Sequence, residues 1–357
     1  MVEININGKK VGLKYEPYFI ADIAANHDGN IERALKLIEL AKEAGADAAK
    51  FQNFTASKIV SKKTFDSDVG RVSHQAKWKK SVFQVYDEAT VPKEWTQILK
   101  NKCDEVGIEY LTSPYDFENV DHADKYSNAF KIGSGDLSWH DMIKHIASKG
   151  KPVLLATGAS TMDEVIKATQ IVNSQGAPLV LMQCNTNYTA NIDNYHFINL
   201  NVLNTYKENF PNAVLGISDH TFGCETVLGA IALGARVIEK HFTDDNNREG
   251  PDHHFAMNPT TWRNMVDSSL KVFNALGDGI KKIEDNEKQT AVVQRRSLHY
   301  VRDIRAGEVL KKEDIFPLRP ICKDGIQPYD ENIIIGKKLI KDVSSNDYAR
   351  MVDFFND

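Results

Sequence analysis

Cysteine is scarce. The 357 residues hold four, Cys103, Cys184, Cys224 and Cys322, widely scattered and without a C-x-x-C spacing. That pattern argues against a disulfide framework or a zinc ribbon and suits reduced thiols in a cytosol. Long apolar runs are absent too: no stretch approaches the length of a membrane span, and the opening MVEININGKKVGLKY has no apolar signal core. The expected location is the cytoplasm, with no membrane partner. Charge of one sign is also lacking. With a formal net charge of −5 there is no broad field to draw the chain to nucleic acid, so an anionic ligand must be held by locally placed cations. Neither a P-loop nor a G-x-G-x-x-G fingerprint occurs, so any phosphate bound is a small one rather than a nucleotide.

What is present is a repeating alternation. Residues 3–13 alternate around Asn7-Gly8, a strong hairpin signal. Eight short apolar runs follow: YFIADIA (18–24), AAKFQ (48–52), EYLTSP (109–114), AFKIGS (129–134), PVLLAT (152–157), LVLMQC (179–184), VLGISD (214–219) and VIEKHF (237–242). Between them lie helical patterns such as NIERALKLIELAKEAG and TMDEVIKATQIVNSQG, each closing on a glycine where a left-handed cap is expected. Continuous apolar strands alternating with helices imply parallel strands. Eight units over about 230–270 residues fit a (β/α)8 TIM barrel, with a doubly wound open sheet as the competing fold. Helical patterning stops near Ile283. We expect residues 1–285 to hold the hairpin and barrel, 286–292 to be a linker, and 293–357 to form a small β-rich domain turning at Ala306-Gly307. A segment of about forty residues, 53–91, is long for a loop in a compact domain and reads as a functional lid or as a surface insertion.

Barrel rules place chemistry at the C-terminal ends of the strands. There the sequence offers Asp22, Lys50 with Gln52, Ser113, Lys131 with Ser134, Thr157, Ser218 with His220, and His241. Lysine is almost never buried unpaired, so Lys50 and Lys131 inside apolar runs need a reason. Either each pairs with a strand carboxylate such as Asp22, or both neutralise a bound phosphate or carboxylate alongside Ser113, Ser134 and Ser218. His220 and His241 end consecutive runs, so their imidazoles reach one point. They are hydrogen-bonded structural residues or ligands of a divalent cation such as Mn2+, with positions left open for substrate. His253 and His254, after Gly250-Pro251-Asp252, are further candidates or plain loop.

In order along the chain, IADIAANHDGN, GADAAKFQ, YLTSPYD, FKIGSGD, LLATGAS, CNTNY, GISDHTFG, IEKHFT and GPDH resemble the sialic acid synthase family, which includes neuraminate, legionaminate and pseudaminate synthases. RRSLHYVRDIRAGEVLKKEDIFPLRP resembles that family's antifreeze-like SAF domain. The resemblance implies condensation of phosphoenolpyruvate with an N-acyl hexosamine, giving a nine-carbon sugar acid and phosphate. It places Lys50, Ser113, Lys131, Ser134 and Ser218 on phosphoenolpyruvate, with Thr157 standing in for a phosphate-contacting serine where this chain has Ala156. It places His220 and His241 on a divalent metal, Mn2+ first and Mg2+ or Co2+ after it. Gln52, Tyr188 and Asp252 would hold the open-chain sugar with Tyr115 close by, and Asp22 and Asp252 are the carboxylates expected to act in catalysis. Asp22 replaces the family's usual glutamate and is one methylene shorter. Arg319 in PLRP matches the SAF residue that reaches the N-acyl group across a domain-swapped homodimer. The closing segment KDVSSNDYARMVDFF lacks the family's charged glycine turn, yet its alternation reads as a last strand. The alternatives are a metal-dependent barrel aldolase or hydrolase acting without phosphoenolpyruvate, and a non-catalytic carbohydrate-binding protein.

Overall fold

The structure, a computed structural model, describes residues 2–65, 75, 78–189 and 191–355. It opens with a hairpin of β1 (Glu3–Ile6) and β2 (Lys9–Gly12), turning at Asn7 and Gly8, which both have positive φ as a tight two-residue turn requires. Eight strands follow with their helices: β3 (Tyr18–Asp22), α1 (Ile31–Glu43), β4 (Ala48–Asn53), α2 (Ala56–Ile59), α3 (Lys62–Phe65), α4 (Val82–Glu88), α5 (Lys93–Val106) and β5 (Glu109–Pro114). Then come α6 (Phe117–Ala123), β6 (Phe130–Ile132), α7 (His140–Ala147), β7 (Val153–Ala156), α8 (Met162–Ser174), β8 (Leu179–Cys184), α9 (Val202–Asn209), β9 (Val214–Asp219), α10 (Glu225–Ala232), β10 (Val237–His241) and α11 (Pro259–Ala275).

Strands β3 to β10 close into a parallel barrel in the order β10-β3-β4-β5-β6-β7-β8-β9. The open sheet is thereby excluded. The strands are apolar nearly throughout because one face meets the barrel interior and the other meets helices. Helix α1 shows the matching logic: Asn30 caps it by accepting from the Arg33 amide, and Ala34, Leu37, Ile38 and Ala41 bury one stripe. Its chain reverses at Gly45 (φ 96°), as α5 does at Gly107 and α8 at Gly176, the glycine caps the sequence predicts. At the N-terminal end of the barrel the hairpin lays Ile4, Ile6 and Val11 against Tyr18, Ile20, Val180 and Val237, closing the floor with hydrocarbon.

The chain divides into compact units at Leu276–Gly277, earlier than the boundary expected at residue 285. Much of the expected linker, 286–292, is the start of helix α12 (Lys288–Gln294). None of its residues is buried, so it carries no apolar stripe by which sequence periodicity could reveal it. The second unit pairs β11 (Ser297–Tyr300) antiparallel with β12 (Ile315–Leu318) around Leu298, Tyr300, Ile304, Leu310, Ile334 and Leu339. The expected closing strand is not continuous. Val343, Tyr348, Arg350 and Phe354 make isolated bridges to Ile304, His299, Gly325 and Leu339 in turn, and the chain turns at Asn346 (φ 69°) between the first two.

Candidate active site

Side chains alternate along a strand, so Lys50 and Gln52 on β4, Glu239 and His241 on β10, and Ser218 with the following His220 each share the interior face. With Asp22, Ser113 and Lys131 they line one cavity of 430 Å³ at the C-terminal mouth of the barrel. Lys50 and Lys131 are about as buried as any leucine of the core, 2% and 4% exposed. Each has found a carboxylate. Lys50 Nζ donates to Asp22 Oδ2 at 2.7 Å and to Ser113 Oγ at 3.3 Å, and Gln52 donates to the same Asp22 oxygen at 3.3 Å. Lys131 pairs with Glu239 and donates to Ser218 Oγ at 3.3 Å. Ser218 in turn donates to Glu239 Oε1 at 3.1 Å, and Lys50 Nζ stands 4.0 Å from that oxygen.

The pairing reading of the two lysines is therefore what the structure shows, and the pairs face the cavity rather than away from it. Burial alone would raise Asp22 and Glu239, but Lys50 and His241 beside the first, and Lys131 and Lys50 beside the second, hold both carboxyls below the usual range. Burial likewise draws Lys50 down, and Asp22 with Glu239 outweighs it, keeping the ammonium above its ordinary value. Asp22, Glu239 and Lys50 therefore stay ionised. A bound anion would meet two cations whose counter-charges, Asp22 and Glu239, line the same cavity.

The two imidazoles come together as expected, with ring centres 5.4 Å apart. His220 Nδ1 faces the Asn185 carbonyl at 3.0 Å, leaving its other nitrogen as the one able to bind elsewhere. His241 Nδ1 is buried without a hydrogen-bond partner, 3.8 Å from Asp252 Oδ2, and its Nε2 is 3.8 Å from Asp22 Oδ2. Burial lowers His241 and keeps it a neutral imidazole. For His220 the same burial is outweighed by Cys184 and the Asn185 carbonyl, which raise it. Among the described residues no group of three or more His, Cys, Asp or Glu could hold a metal ion. The donor set is two imidazoles, one with an orphaned buried nitrogen, and it fits an open metal site completed by substrate or water.

Ser134, Tyr115, Tyr188 and Asp252 also line the cavity. Tyr188 packs 4.3 Å from the His220 ring. Thr157 does not line it. Its hydroxyl donates to the Met182 carbonyl at 2.9 Å and accepts from Tyr206 at 2.9 Å, so it cannot stand in for a serine at Ala156, which does line the cavity. One residue of offset turns the side chain to the other face of the sheet. Arg319 is exposed on the second unit, just past β12.

Glu239, Asp136 and Cys184 line the cavity without being among the residues the sequence singles out. Glu239 lies in the middle of β10, where a carboxylate among buried neighbours was the available signal. Asp136, in a short turn after β6, has its carboxyl pushed up to about 6 by burial. Cys184 ends β8 beside His220, and its position at the end of a run was the available signal. The 53–91 segment also contributes: Phe54, Ile59, Val85 and Tyr86 form an apolar wall, which favours a lid over an idle insertion, while 66–74, 76 and 77 lie outside the described residues.

A closed parallel barrel with lysine, carboxylate and imidazole groups at its C-terminal mouth defines the class as a barrel with an enzyme-like rim. The profile of the NeuB family matches residues 37–281 and that of the SAF domain residues 295–354. The chain belongs to the NeuB family. It is 34% identical to the N,N'-diacetyllegionaminic acid synthase of Legionella pneumophila over 95% of both chains. It is 33% identical to the pseudaminic acid synthase of Campylobacter jejuni over 94% of this chain and 96% of that one. Among solved structures, N-acetylneuraminic acid synthetase from Leptospira borgpetersenii, in complex with citrate, superposes with a TM-score of 0.71 at 26% identity, covering 81% of this chain and 94% of that one.

Proposed function

We propose that the protein is a nonulosonic acid synthase that condenses phosphoenolpyruvate with an N-acyl hexosamine. The observation that carries this is the convergence of two lysines and two histidines on one cavity in a NeuB-family barrel. Phosphoenolpyruvate C3 bonds to the open-chain aldehyde carbon, water adds to C2, and phosphate leaves with cleavage of the C–O bond. Lys50, Lys131 and the hydroxyls of Ser113, Ser134 and Ser218 hold the phosphate and carboxylate. Gln52, Tyr115, Tyr188 and Asp252 hold the sugar so that its carbonyl faces the enol carbon. Asp22, kept ionised by Lys50, is the acceptor for the proton of the attacking water. His220 and His241 hold a divalent ion, Mn2+ by preference, and polarisation of the aldehyde oxygen is the chemistry such an ion supplies. The reading extends to a cytoplasmic, domain-swapped homodimer in which Arg319 serves the sugar site of the other copy. No helix among the described residues is long and apolar enough to cross a membrane.

The test is phosphate release from phosphoenolpyruvate by the purified chain with Mn2+ and a panel of N-acyl hexosamines, with product mass identifying the acid. Release should require both sugar and metal. Silence with every sugar in the panel would overturn the proposal.

A further inference from the structure

Asp252 stands on the loop between β10 and α11, and its own carboxylate is weakly held: Oδ2 accepts from the Ala25 amide at 3.3 Å and lies 3.8 Å from His241 Nδ1. The next residue is held far more firmly. His253 has 0% exposure, and both its ring nitrogens are engaged, Nδ1 with Thr243 Oγ1 at 2.7 Å and Nε2 with Asp28 Oδ1 at 2.9 Å. Asp28 is fixed in its turn by Arg248 at 2.9 Å and by Arg33 at 3.2 Å, both on its other oxygen. The His253 carbonyl accepts from Asn246 at 2.9 Å, so backbone and ring are anchored on opposite sides. Gly250 lets the loop fold onto the ring, for a Cβ there would come within 2.6 Å of His253 Cδ2. These contacts staple the loop after β3, which carries Ala25 and Asp28, to the loop after β10, which carries Arg248, Asp252 and His253.

We propose that His253, clamped between Thr243 and Asp28, is a positioning residue that fixes where the Asp252 carboxylate stands in the cavity. The proposal rests on the synthase reading for its kinetic consequence. His253 is absent from the cavity wall, whereas Asp252 is part of it, so the imidazole acts through its neighbour. A displacement of about 1 Å at a substrate-holding group costs up to about a hundredfold in rate.

The experiment uses the full chain carrying His253→Leu, His253→Gln, Asp252→Asn, and the double variant His253→Leu/Asp252→Asn. His253→Leu should lower kcat/KM for the sugar by about 30-fold while KM for phosphoenolpyruvate changes by less than about twofold. His253→Gln, which can still reach Asp28, should recover part of the loss. The double variant should lose clearly less than the two single losses combined, since the carboxylate through which His253 acts is already gone. Additive losses, or equal effects on both substrates, overturn the proposal. If His253→Leu does not fold, Asp28→Asn replaces it, because asparagine tolerates the left-handed backbone at that position (φ 51°). If the wild type releases no phosphate with any sugar, it is the synthase reading that has failed. The brace is then judged by hydrogen exchange of residues 248–255, where faster exchange in the variant supports it and unchanged protection refutes it.

Discussion

The two ends of the barrel are built from opposite materials. The floor is hydrocarbon: Ile4, Ile6 and Val11 of the hairpin meet Tyr18, Ile20 and Val237 with hardly a polar atom among them. The mouth buries Lys50, Lys131, Asp22, Glu239 and His241 just as deeply. Burying apolar surface stabilises, at about 25 cal/mol per Å². Burying ions costs several kcal/mol each, and their mutual attraction does little more than offset it. The barrel therefore draws stability from one end and uses it to keep a polar lattice in place at the other. Substitutions at the floor should cost stability and leave chemistry alone, whereas those at the mouth should always cost chemistry, and stability only where they strand a buried charge.

The sharpest division is expected at the imidazoles. His220→Ala and His241→Ala should each reduce turnover at least a thousandfold, about 4 kcal/mol of activation free energy, with little change in melting temperature. Steady-state assays beside calorimetry check this, and full activity in metal-free buffer would refute the metal assignment. Next comes the lattice. Lys131→Ala strands Glu239 and should cost about 3 kcal/mol of stability as well as phosphoenolpyruvate affinity. Lys131→Met combined with Glu239→Leu should restore much of the stability, measured by denaturant melts, and none of the activity. At the floor, Ile6→Ala should cost about 2 kcal/mol and leave kcat/KM unchanged at 25 °C. A large kinetic effect there would break the comparison.

The smallest effect concerns Asp136. Its carboxyl titrates near 6 when folded, above the usual value, so the ionised form strains the fold at neutral pH and the strain fades as pH falls through 6 toward 4. Asp136→Asn should thus be more stable than wild type by about 1–2 kcal/mol at pH 8, allowing for the group's partial exposure, and equal to it below pH 4. Melting curves across that range decide it.

Sequence and structure agree best where the physics is local. Eight apolar runs are legible because strands buried on both faces cannot alternate, and Asn7-Gly8 because few residue pairs accept that turn. His220 and His241 were expected to meet because adjacent strands keep neighbours together. Glu239 was not expected, and the reason lies in closure. Its partner Lys131 is on β6, four strands away on the far side of the barrel from β10, so no spacing along the chain hints at the pair. Thr157 fails for a smaller reason: a strand end can be read to within a residue, and one residue decides which face a side chain takes.

By itself the sequence determined the strands, their parallel order and the residues available at their ends, since burial pattern and turn chemistry act over a few neighbouring positions. Only the tertiary structure decided which lysine meets which carboxylate, that Asp136 and Cys184 share the cavity, and that both ring nitrogens of His253 are taken up by Thr243 and Asp28. Those outcomes depend on distances across a closed barrel, which the order of residues constrains but does not contain.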